Sequence, residues 1–382
     1  MAECGRAYVN VSDGIAIFYD FQVWYTEIHK NLCLFLCFFG VLLNMSHILI
    51  LTRPVMKRST VNRLLTYIAV IDIMKMTGYF IYLIRFVVMV PHYTEPLGYP
   101  LAWIYFLMYH VIASIGLHAL TLYLTVCTAF IRFQAINSLN SSFMQPQMAW
   151  KCFVGAAILV GILCVPTFVV HNIERVAHNH TSVGEIYTMA MPRDKPLACT
   201  LFIFNLWLSG IFFKGLPCLA LITFTILLLW KLHRNQRSHE RIVSREAAHI
   251  RSTRSDRTTL LLVILLTVFL FTELPQGFLA VLNGLYPAEV HTFVYTPLGE
   301  LLDLMSLING NVCFIIYPAI SSQYRETATV LFARIRQDVT SFLHSHRSSP
   351  SKKGAYQTVQ NTIEIQISHE MVESASAHPN MV

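Results

Sequence analysis

The stretch Cys152-Phe-Val-Gly-Ala-Ala-Ile-Leu-Val-Gly-Ile-Leu-Cys-Val-Pro-Thr-Phe-Val-Val170 runs without a single charge, and its length decides the class of the molecule. A helix needs about 20 mostly apolar residues to cross a hydrocarbon core of roughly 30 Å. Runs of this kind occur at about 31–52, 64–90, 101–131, 149–170, 201–230, 259–285 and 298–320. Each is continuous rather than alternating, which predicts helices and not barrel strands. Of the 382 residues, 55% are hydrophobic and 13% charged, too little polar surface for a soluble globule. The expected fold is an all-α membrane protein, a seven-transmembrane helix bundle with a short amphipathic inner helix.

Four parts follow from this reading: an extracellular N-terminal tail over 1–30, the seven-transmembrane domain over 31–320, an amphipathic juxtamembrane helix over 321–337, and a disordered cytoplasmic tail over 338–382. The juxtamembrane assignment rests on Tyr324, Ala328, Leu331, Phe332 and Ile335 at helical spacing beside Arg325, Arg334 and Arg336, the pattern of a helix lying in an interface. No cleaved signal peptide is evident before residue 30, so the first helix is expected to act as the insertion signal. The loops after helices one, three and five carry 4, 2 and 8 Lys or Arg, against 3 in the opposite loops. Basic loops stay on the cytoplasmic side, which places the N-terminus outside, in a multi-pass plasma-membrane protein. The sequons at Asn10 and Asn179 then fall outside and are candidate glycosylation sites. The net charge of +7 is accounted for by basic loops near anionic membrane lipid and carries no argument for nucleic-acid binding.

Several apolar runs contain polar groups that lipid would expel unless they had partners or a task. They are Gly40-Val-Leu-Leu-Asn44 in helix one and Ala69-Val-Ile-Asp72 in helix two. Helix three ends Ala129-Phe-Ile-Arg132-Phe133. Helix six carries Phe269-Leu-Phe-Thr-Glu273-Leu-Pro275-Gln276-Gly277, and helix seven Asn309-Gly-Asn-Val-Cys313-Phe314-Ile-Ile-Tyr317. With Trp150 and Pro166 in helix four and Pro217 in helix five, their order resembles the rhodopsin-class G-protein-coupled receptors over roughly residues 30–335. Within that class Thr272-Glu-Leu-Pro-Gln-Gly277, Tyr82-Leu-Ile-Arg-Phe-Val87 and His118 to Thr121 resemble the invertebrate myosuppressin-receptor-like group, including its nematode FMRFamide-related neuropeptide branch.

The resemblance implies an amidated peptide ligand, often ending Arg-Phe-amide, a heterotrimeric G protein and arrestin as partners, and no enzymatic activity. It implies that Arg132 and Tyr317 are switch residues at the G-protein end. The acid that usually precedes the switch arginine is Ile131 here, so Asp256 at the start of helix six is the candidate restraint. An inner polar cluster of Asn44, Asp72, Thr121 and Asn309 is implied, with sodium at Asp72 unless Lys75 supplies a fixed cation instead. Helix seven has Phe314 where the class has proline, so its usual kink is not expected. The class disulfide reaches the second outer loop, where Cys199 sits, but helix three offers no partner. A Cys4–Cys199 bond and two free thiols both remain open.

Asp72, Lys75, Arg85, Lys214, Glu273, Glu300 and Asp303 lie within or at the outer ends of helices. In the binding interpretation, Glu273, Gln276, Glu300 and Asp303 form an acidic wall for a peptide arginine. His110 and His118, with Lys214 nearby, complete the ligand site. The alternative is internal pairing, Asp72 with Lys75 and Lys214 with Glu273. A chemosensory receptor for a small environmental molecule is the second function compatible with the sequence; no inverted repeat suggests a transporter. No metal site is expected from the spacing of His and Cys.

Overall fold

In the computed structural model, residues 13–90, 98–137, 144–176, 185–190, 196–239, 246–286 and 290–347 are described. The chain forms two compact units, Met1–Thr327 and Ala328–Val382. In the first, α1 (Asp13–Leu51), α2 (Thr60–Tyr82), α3 (Leu101–Asn137) and α4 (Gln147–Val170) precede a hairpin of β1 (Asn172–Arg175) and β2 (Tyr187–Ala190). Then come α5 (Pro196–Leu208), α6 (Leu216–His239), α7 (Glu246–Leu285) and α8 (Thr296–Ile320). The helix α9 (Ser322–Arg347) starts in the first unit and runs into the second.

These helices supply seven segments long and apolar enough to cross a membrane, numbered as spans one to seven: Asp20–Leu51, Thr60–Val88, Leu101–Ala135, Gln147–Val170, Leu197–Lys231, Val263–Leu285 and Phe293–Ala319. Phe271 is 77% exposed and Ile162 65%, which is tolerable only where the bundle meets lipid. Every backbone N–H in such a medium must be satisfied within its own segment, and helices do this.

Helix ends follow local chemistry. α1 stops at Leu51, three residues before Pro54, because the residue before a proline avoids the helical region and proline brings no N–H. Pro297 sits in the first turn of α8, where a missing N–H costs nothing. At the other end of α8, Arg325 Nη1 donates to the carbonyls of Pro318 and Ala319 at 2.9 and 3.0 Å, capping a terminus that Pro318 has weakened. Helix seven therefore carries a proline after all, one residue past Tyr317.

Two helices are longer than their sequence reading. α1 begins at Asp13 and so occupies most of the expected 1–30 tail. Gly14 is the last glycine or proline before Gly40, and the Glu27–Lys30 pair at 2.6 Å supports the exposed turn. Likewise α9 reaches Arg347, ten residues into the expected disordered tail, over a stretch with neither glycine nor proline.

Three π turns interrupt the spans: Leu83–Val88 closing span two, Ser209–Gly215 in span five, and His291–Tyr295 opening span seven. The second ends where Pro217 withdraws its N–H from the ladder. Tyr123 of α3 donates to the Phe212 carbonyl in this turn at 2.8 Å. Gly210 lies against α7, where a Cβ would stand 3.1 Å from the Ala280 carbonyl; the missing side chain lets spans five and six touch.

Two core clusters can be traced among the described residues. One cluster joins Leu122, Ala129, Leu221, Leu228, Val263, Leu266 and Phe269, from spans three, five and six. The other joins Cys33, Cys37, Met76, Tyr79, Leu83 and Leu307, from spans one, two and seven. Each brackets one of two polar regions in the interior.

Candidate functional site

The π turn in span five carries Lys214 to the bundle interior, opposite Glu273 of α7 and His118 of α3. The Glu273 side chain is 0% exposed. Lys214 Nζ donates to Glu273 Oε2 at 2.8 Å and to Gln276 Oε1 at 2.8 Å, and its third N–H meets His118 Nε2. All three donors of the ammonium are thus used. An imidazole that accepts at Nε2 carries its proton on Nδ1, which donates to Ser306 Oγ of α8 at 2.9 Å. His118 Nε2 also lies 3.0 Å from Glu273 Oε2. The other carboxylate oxygen, Oε1, accepts from Asn309 Nδ2 at 3.2 Å. The buried carboxylate of span six is thus bonded to spans five and seven, and His118 of span three joins it through Lys214.

This arrangement divides the expected acidic wall. Glu273 and Gln276 both accept from Lys214, the internal pairing that the sequence left open, apart from Glu300 and Asp303. Those two acids sit instead against spans one and two. Glu300 Oε1 accepts from Thr26 at 3.0 Å, while its Oε2 is buried with no hydrogen-bond partner. Asp303 Oδ2 accepts from the Tyr79 hydroxyl at 3.3 Å, and Tyr79 also meets His29 Nε2 at 2.9 Å. His110 is not opposite an acid: it stacks on Tyr82 at 5.3 Å and on Phe106 at 5.7 Å. Gly78 gives it room, since a Cβ there would stand 3.2 Å from its Nδ1.

Among the described residues no hydrogen bond joins two side chains of the expected inner cluster, although Asn44 and Asp72 both lie at Gly310. Asp72 Oδ1 lies 3.0 Å from Lys75 Nζ, so the chain's own ammonium stands beside the carboxylate. Asn44 donates to the carbonyls of Gly40 and Gly310 at 2.9 and 3.1 Å. Asn309 reaches Glu273, and Thr121 Oγ1 is buried without a hydrogen-bond partner. What Asp72 and Asn309 share is the lining of a cavity of about 30 Å³.

Arg132 follows the buried Ile131, and its Nε has no hydrogen-bond partner. The Tyr317 hydroxyl donates to Asn62 Oδ1 at 3.5 Å, and its ring packs on His47 and Tyr324 at 5.4 and 5.6 Å. His47 Nδ1 meets the Tyr324 hydroxyl at 3.0 Å, tying α9 to α1 within the first unit. The side chain of Asp256 lies outside the described residues, as do Asn10, Asn179 and Cys4. Cys199 is disulfide-bonded.

Ser306, Tyr79, His29 and Thr26 were missed by the sequence reading. Only their position on polar-interrupted helix faces could have marked them, and serines and tyrosines are common on such faces.

A family model described as the serpentine-type seven-transmembrane chemoreceptor Srw matches residues 31–334. The chain is 29% identical over 370 residues to the G-protein coupled receptor dmsr-1 of Caenorhabditis elegans, covering 85% of this chain and 72% of that relative. The family match begins inside span one, takes in spans two to seven and reaches the start of α9. With seven helices and interior charges in this order, the chain belongs to the serpentine-type seven-transmembrane G-protein-coupled receptors of the Srw family.

Proposed function

We propose that this receptor answers an amidated neuropeptide of the Arg-Phe-amide type and passes the signal to a heterotrimeric G protein, from the plasma membrane with its N-terminus outside. The observation that carries the reading is the half-satisfied acid pair on span seven. Glu300 keeps a buried carboxylate oxygen without a partner, and no described Lys or Arg forms an ion pair with Glu300 or Asp303. A peptide guanidinium offers five donors in a plane and suits two carboxylates one turn apart. An agonist that prefers the active arrangement shifts an existing equilibrium. In this reading Arg132, Tyr317 and Asp256 act at the G-protein end, with arrestin as a further partner there, and no covalent chemistry is involved.

The family description as a chemoreceptor favours a second reading, a small environmental ligand. A G-protein activation assay in cells separates the two, with a panel of amidated peptides and a panel of small odorants. The peptide reading expects activation by amidated peptides, and potency falling by about tenfold or more in Glu300→Gln and Asp303→Asn at matched surface expression. Activation by odorants alone sinks it.

A further inference from the structure

Arg85, at the end of span two opposite to that of the expected switch arginine, has neither an ion pair nor a hydrogen bond among the described residues. Arg85 stands in the π turn that closes span two, half-buried, its guanidinium carbon 5.1 Å from the ring centres of Tyr99 and Trp103 and 5.9 Å from that of Phe86. Stacking engages the faces of a guanidinium and leaves its N–H donors, which lie in the plane, unspent. Asp72 has Lys75 and Glu273 has Lys214, whereas Arg85 is held among aromatic rings.

An aromatic floor leads from this cation to the acids of span seven. Tyr79, bonded to Asp303, has its ring 5.7 Å from that of Tyr82. Tyr82 stacks on Phe86 at 5.6 Å, and Phe86 is one of the three rings at Arg85. Two ring-to-ring steps thus separate Tyr79, at the acids, from Phe86, at the cation. A ligand that bridges the two poles must reach past both rings, as an extended peptide of a few residues does at about 3.3–3.6 Å per residue.

We infer that Arg85 is a ligand subsite, receiving the terminal carbonyl of a peptide whose cationic side chain sits at Glu300 and Asp303. This rests on the peptide reading and adds to it a direction: the carboxyl terminus lies toward span two and the hairpin. An edge-on guanidinium gives a carbonyl oxygen hydrogen bonds in which only the donor is charged, and a carboxylate bonds in which both partners are charged, which are the stronger. Arg85 therefore sets how the receptor ranks the amidated and free-acid forms of one peptide.

The test is that ratio. Dose–response curves for an Arg-Phe-amide peptide and its free-acid form are compared in the wild type, Arg85→Gln and Arg85→Lys at matched surface expression. In Arg85→Gln both forms weaken, and the free acid weakens about tenfold more than the amide because only it loses a charge-to-charge contact. Arg85→Lys keeps the acid-to-amide ratio near that of the wild type while losing potency for both, since the charge stays and the planar fork goes. Glu95, outside the described residues but near in sequence, is the rival acceptor, and Glu95→Gln is expected to leave the ratio unchanged. If the ratio in Arg85→Gln equals that of the wild type, or Glu95→Gln changes it as Arg85→Gln does, the subsite is overturned while the peptide reading stands. A wild type silent to every amidated peptide overturns both.

Discussion

The knot around Glu273 and the crevice around Glu300 both place carboxylates in a lipid-embedded bundle, and they treat them oppositely. In the knot, both oxygens of Glu273 and all three N–H groups of Lys214 are engaged, and the charges cancel. In the crevice two acids share one turn of α8, neutral groups from α1 and α2 bond them, and one oxygen goes unmatched. Burial of an ion is tolerable when its partners are complete and costly when they are not. A saturated pair fixes the relative positions of helices; an unsaturated one is a standing demand for a partner from outside the fold. The difference assigns structure to the first region and recognition to the second.

The sharpest way to break this contrast is Glu273→Gln. It strands the Lys214 ammonium in the interior, and removing one member of a buried pair costs about 3–5 kcal/mol. The expected result is a large fall in the thermal midpoint of the purified receptor and in surface expression. The double substitution Lys214→Gln with Glu273→Gln should recover most of the loss, because no orphan charge remains. A single variant as stable as the wild type would show that the knot does not hold the bundle.

A smaller effect is expected at the π turn in span five that delivers Lys214. Tyr123→Phe removes the hydroxyl that serves the Phe212 carbonyl and should lower stability by about 1 kcal/mol. Thermal unfolding of the two proteins side by side reads this directly, and no difference would mean that water serves that carbonyl equally well. The smallest effect is expected in the crevice. Glu300→Gln should change the unliganded receptor by less than about 0.5 kcal/mol, in contrast to its loss of agonist potency. A destabilisation as large as that of Glu273→Gln would erase the distinction between the regions.

The seven spans were legible because length and hydropathy are one-dimensional properties, readable without knowing how helices face each other. The two i, i+3 partners Asp72 and Lys75 share a helix face by arithmetic alone, and the Lys214–Glu273 pairing was among the alternatives. What could not be read was azimuth, and with it that Lys214 is the ion-pair neighbour of Glu273. Each extra residue in a π turn rotates the remainder of the helix by about 100°, the angle per residue of an α-helix. Nothing in Ser209–Gly215 or Leu83–Val88 announces that insertion, so the facing of Lys214 and Arg85 could not be read. The extra turns of α1 and α9 were missed for a simpler reason: a helix continues past its apolar stripe until a breaker stops it, and the nearest breakers lie at Gly14 and Pro350.

Asn309 holds Glu273 with one end of its amide and lines the cavity beside Asp72 with the rest. A space of about 30 Å³ exceeds the roughly 10–15 Å³ needed for one water. Moving α7 away from α8 would part Asn309 from Glu273 and widen that space, drawing water in among Leu265, Leu266 and Phe269. The Asn309–Glu273 bond therefore sets how much water the interior can hold beside Asp72.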